Sequence, residues 1–128
     1  MKIAKPIFYI STFFCILNIL FSFHLYAKEL CILNRGVAFG LEFGQEIPIS
    51  IFLLLLLSFL VYRLEKDIRY LILSISILGL SNLLVRIFLG NVCDYISLLN
   101  ISFNIADCGI VLTSILTSGY LLLSYSKE

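Results

Sequence analysis

The sequence predicts an all-α membrane protein, a single domain of 128 residues folded as a bundle of four transmembrane helices. Three observations predict it. Apolar residues make up 61% of the chain, against about 45–50% in a soluble domain. Charged residues are only 13%, roughly half the usual share. The apolar residues also fall in blocks separated by polar stretches, instead of recurring at amphipathic spacing. A net charge of +1 with no basic stripe excludes a nucleic-acid partner. The length allows no second domain, and there is no internal repeat or low-complexity linker.

Each block is measured against a hydrocarbon core about 30 Å thick, which takes roughly 20 helical residues to cross. The first, 7–26, is interrupted only by small hydroxyls, Asn18 and His24. With Lys2 and Lys5 before it and Ala27 after, it has the outline of a secretory signal peptide. However, its apolar run exceeds the usual 7–15 residues, and Leu25 is too large for the position two before a cut. It is read as an uncleaved span. The second block, 47–62, is short, and Pro48 suits the first turn of a helix, where its missing N–H is not needed. The third is 70–89, in which Ser74, Ser76 and Gly79 would permit close helix approach. The fourth is 103–124.

Lys2, Lys5, Arg63, Lys66, Arg69 and Lys127 flank the spans on one side, against Lys28 and Arg35 on the other. The positive-inside rule then places both termini in the cytoplasm and two loops, 27–46 and 90–102, outside. Of the four cysteines, Cys15 and Cys108 fall in apolar segments, where cysteine behaves as a small hydrophobe. Cys31 and Cys93 share the outer side, so a disulfide between them is an open alternative, although nothing in the sequence shows them to be close. With one histidine and no CxxC pair, no metal site is expected.

The chemistry-bearing residues cluster at the outer ends of the third and fourth spans. Asn82, Arg86, Gly90 and Asp94 recur every four residues, a step that drifts only about 40° round a helix. Asn104 and Asp107 are three apart, hence neighbours on a helix surface. Each group has a plainer reading. Arg86 could snorkel to the surface with Asp94 neutralising it, and Asn104 and Asp107 could simply cap a helix. Neither explains why two successive spans both end in an aspartate. Acids near hydrocarbon cost roughly 2.5–3.5 kcal/mol at a helix centre and are rarely idle. Two carboxylates brought together share one proton, the arrangement by which one activates water while the other polarises a carbonyl.

Three stretches extend this reading. Asn34-Arg35-Gly36-Val37-Ala38-Phe39-Gly40 resembles an N-x-G-x-A-F-[GS] motif. The block from Asn82 through Arg86, Gly90 and Val92 to Asp94-Tyr95 resembles N-x-x-D-R-x-x-x-G-x-V-x-D-F, and Phe103-Asn104-x-Ala106-Asp107 resembles F-N-x-A-D. In this order on a four-span chain, they resemble the lipoprotein signal peptidases, the signal peptidase II family of membrane-embedded aspartic proteases. The resemblance covers about 33–112. It implies a catalytic pair Asp94 and Asp107, with Asn34, Gly36, Asn82, Arg86 and Asn104 in supporting and substrate-binding roles. It also implies a small extracytoplasmic β-cradle, into which 28–46 would fit, and no metal or organic cofactor. The implied reaction cleaves prolipoproteins before a diacylglyceryl-modified cysteine. The implied partners are signal peptides carrying that cysteine and membrane lipids, with the enzyme a monomer in a bacterial inner membrane. Departures are Val85 for the usual aspartate, Ser81 for a glycine, and Asn18 and Ser22 where the first helix commonly has D-x-x-x-K. The competing expectation is a non-catalytic four-span protein, a lipoprotein-binding helper or a proton-linked carrier. A carrier would need acids deeper in its spans, where this chain has none.

Overall fold

The computed structural model describes residues 2–34 and 46–127. Helices α1 (Ala4–Ala27), α3 (Lys66–Leu89) and α4 (Ile105–Tyr125) are each long and apolar enough to cross a membrane. Helix α2 (Glu46–Val61) is apolar but has 16 residues, about 24 Å at helical rise. Pro48 lies in its first turn, as expected.

Helix α3 is central, packing on α1 most extensively and also on α2 and α4. The contact faces explain this. Along α1 the buried residues are Ala4, Ser11, Cys15, Asn18 and Ser22, all small or polar. Along α3, Leu71, Ser74, Leu78, Ser81 and Val85 are buried, stepping by three and four residues as one helix face requires. Small side chains let the backbones approach closely, the usual basis of helix association in lipid. Gly109 serves the same end between α3 and α4, where an added Cβ would sit 2.7 Å from Leu78 Cδ1. Gly79 instead faces Leu54 of α2. Large apolar side chains, among them Phe13, Leu20, Phe52, Leu112 and Leu122, point outward.

Helix α3 stops at Gly90, whose φ of 79° is left-handed and whose N–H bonds to the Arg86 carbonyl at 2.8 Å. The four-residue recurrence from Asn82 therefore does not continue as helix to Asp94. That residue ends a strand, β2 (Val92–Asp94), paired antiparallel with β1 (Ile32–Asn34) in the register Ile32↔Asp94, Leu33↔Cys93, Asn34↔Val92. Strands β3 (Ile96–Leu98) and β4 (Ile101–Phe103) form a second antiparallel pair. Their two-residue turn, Leu99-Asn100, has φ values of 51° and 63°, as a type I′ turn demands. Phe103 is thus strand, and α4 begins two residues later than the sequence suggests. Among the described residues, most of the β-structure comes from the connection between α3 and α4, not from 28–46.

Pairing of β1 with β2 brings Cys31 and Cys93 together as a disulfide, Cα atoms 5.1 Å apart across 62 residues of sequence. The shared side leaves this pairing open, and the strand register is what brings the two cysteines close. Cys15 and Cys108 are free. Alkylation of denatured, unreduced protein should therefore label two cysteines, Cys15 and Cys108, and peptide mass mapping should recover Cys31 joined to Cys93. Labelling at all four would refute the bond.

Candidate active site

Five elements converge on one polar cluster where β2 meets the start of α4. Asn104 is the N-cap of α4, extended at φ −128° and ψ 176°. Its side-chain oxygen accepts the Asp107 N–H at 3.1 Å, and the Asp107 carboxylate accepts the Asn104 N–H at 3.1 Å. This reciprocal capping box satisfies two of the donors that any helix start leaves open. It also orients the Asn104 amide. With its oxygen committed to the cap, its NH2 donates to Asp94 Oδ1 at 3.3 Å and to Asn82 Oδ1 at 3.0 Å. Asn82 in turn donates from its NH2 to Asp107 Oδ1 at 2.9 Å.

Asp94 and Asp107, predicted together from the sequence, thus bond to the same residue. Asp94 is fully buried on β2, near the Ser102 hydroxyl at 3.5 Å. Asp107 is only half-buried. It lines a cavity of about 250 Å³ together with Asn82 and Arg86, against an apolar wall that includes Leu53, Leu54 and Leu57 of α2 and Ile110 of α4. Arg86 does not snorkel outward. It is 4% exposed, donates to Ser50 Oγ at 3.4 Å, and lies in the electrostatic field of Glu46, Asp94 and Asp107. The plain capping reading of Asn104 and Asp107 is correct as far as it goes, and the same atoms also tie in Asp94. The backbone of Asn34 lies in β1 opposite Val92. Gly36 lies outside the described residues.

Two residues outside the predicted set join the cluster. Asn18 of α1, fully buried, donates to Ser81 Oγ at 3.0 Å and to Asn82 Oδ1 at 3.4 Å. Tyr95 donates its hydroxyl proton to Asn18 Oδ1 at 2.8 Å and accepts the Ile105 N–H at 3.2 Å. Burial pushes the Tyr95 phenol up to about 12, so the hydroxyl keeps its proton near neutrality. Ser81, where a glycine is usual in the motif, has a use here as the acceptor for Asn18. Val85, at the position of the usual aspartate, is fully buried. The available signal was a lone amide inside the first span and a hydroxyl beside Asp94.

Membrane-length helices gathered round one buried and one half-buried acid define a membrane-embedded protein with a polar centre at one end of its bundle. The family model described as Signal peptidase (SPase) II matches residues 5–123, and the chain belongs to that family. Membership makes it a membrane protease of the lipoprotein-processing class. No curated protein and no solved structure matches the chain significantly.

Replacing Asn104 with Ala removes the cap and both amide donations at once. Cap loss alone costs about 1 kcal/mol, and losing a hydrogen bond to a buried carboxylate adds roughly 1.5–3 kcal/mol. Asn104→Ala should therefore lower the melting temperature in detergent well below that of Ser118→Ala, whose exposed hydroxyl bonds back to the Ser114 carbonyl of its own helix. Equal melting would show that the cluster does not hold α4.

Proposed function

We propose that the protein is an intramembrane aspartic endopeptidase that removes the signal peptide from prolipoproteins, cutting before the diacylglyceryl-modified cysteine. One observation carries this reading: Asn104 bonds to both Asp94 and Asp107 beside an apolar cavity. Membership of the family supports it at the level of reaction class.

Asp94 and Asp107 are the catalytic dyad. Neighbouring carboxyls do not both ionise, so they hold one proton between them. The ionised member takes a proton from water, whose oxygen attacks the scissile carbonyl carbon. The protonated member gives its proton to the carbonyl oxygen. The resulting tetrahedral diol collapses as the C–N bond breaks: the carboxyl that took the proton from water gives it to the departing nitrogen, and the other carboxylate takes a proton from one diol hydroxyl, which restores the singly protonated dyad. Asn82 and Asn104 hold the carboxyls in place. Asn34, Gly36 and Arg86 bind substrate backbone, and the cavity between α2, α3 and α4 receives the signal helix and acyl chains. Signal peptides bearing the lipid-modified cysteine, with membrane lipids around them, are the partners, and one copy of the chain suffices.

In this reading α2 is the fourth crossing and the two strand pairs form the extracytoplasmic cradle. The termini are cytoplasmic and the chain is a multi-pass protein of the bacterial inner membrane. The lysines and arginines at the opposite ends of the helices support that orientation. So does the Cys31–Cys93 disulfide, since such bonds persist in oxidising compartments.

Asp94→Asn and Asp107→Asn should each lower turnover of a diacylglyceryl-modified precursor by about a thousandfold or more, while the protein stays in the membrane fraction. The wild type should leave an unlipidated precursor intact. Full turnover by either variant would remove the peptidase reading, and equal cutting of both precursors would remove the substrate assignment.

A further inference from the structure

We propose that Tyr95 and Asn18 are positioning residues for this reaction, setting the direction of a hydrogen-bond relay that ends as an N–H on Asp107. The inference rests on the peptidase reading above. It starts from the valence of each group. The Tyr95 oxygen receives the Ile105 N–H, so its own proton points away, to Asn18 Oδ1. The Asn18 oxygen is thereby committed, and its NH2 must face Ser81 Oγ and Asn82 Oδ1. Asn82 Oδ1 then has donors from two sides, Asn18 and Asn104, which leaves its NH2 for Asp107. An amide free to turn end for end would present its oxygen to the Asp107 carboxylate, an acceptor against an acceptor.

The relay also has mechanical support. The Tyr95 ring meets Phe21 of α1 edge to face at 6.3 Å, and the Tyr95 N–H bonds to the Phe103 carbonyl at 3.2 Å. Tyr95 therefore links α1, β4 and the first residue of α4. Asn18 and Tyr95 are both departures from the motifs the sequence resembles, and they are bonded to each other. A change at one position without the other would leave either a phenol proton or an amide oxygen unmatched in a buried site.

The test is steady-state cleavage of the lipidated precursor by Tyr95→Phe, Asn18→Leu and the double variant, with rates normalised to the folded fraction from a thermal melt. Each single variant should lower kcat about tenfold with KM within about twofold, as expected for a misplaced reacting group. The double variant should lose no more than about the larger single loss, because both act through one chain. Thr117→Val, which removes a buried hydroxyl that bonds to the Thr113 carbonyl of its own helix, should keep the wild-type kcat. Single variants as fast as wild type would overturn the relay. So would losses that vanish on normalisation, that multiply in the double variant, or that fall in KM alone. An inactive wild type would remove the peptidase reading and the relay with it, whereas an active wild type with unaffected variants removes the relay only.

Discussion

Asn104 is the constraint on which the rest depends. A single side chain caps α4, orients Asn82 and bonds to Asp94, while its own N–H bonds to Asp107. The start of a helix and the geometry of an acidic pair are thus set by the same atoms. Buried polar groups are tolerable only when every donor and acceptor is matched. The cluster matches its amides and carboxylates to one another by drawing members from several elements, Asn18 from α1, Asn82 from α3, Asp94 from β2 and Asp107 from α4 among them.

The packing of the bundle makes that convergence feasible. Serines, cysteine and asparagine line α1 where it meets α3, so the helix axes come close and polar side chains reach across. Bulky apolar residues are left for the outside. In lipid the arrangement has a clear physical reason, since hydrocarbon solvates leucine and phenylalanine as well as a protein interior does. What lipid cannot solvate is an amide or a carboxylate, and these gather where they can satisfy one another.

Much of this was legible in the sequence. The long helices follow from blocks of apolar residues, and their ends fall within a few residues of where hydropathy places them. The two aspartates stood out because ionisable groups are costly near hydrocarbon. The path to Asp94 was not legible. A four-residue recurrence reads as helix, but Gly90 turns left-handed and hands the chain to a strand. Strands of three residues are too short to show alternation, and the turn at Leu99-Asn100 lacks the glycine that usually marks it. The contact between Tyr95 and Asn18 spans 77 positions, and no local pattern encodes a partner so distant. The same is true of Cys31 and Cys93.

The crosslink has a topological consequence. Cys31 follows α1 and Cys93 follows α3, so the bond joins the first hairpin of the chain to the second. A cut in the short connection after α2, around 62–65, would therefore yield two fragments that remain one covalent molecule. During synthesis the ring cannot close until Cys93 has been made, so the bond forms only after the chain through α1, α2 and α3 is complete.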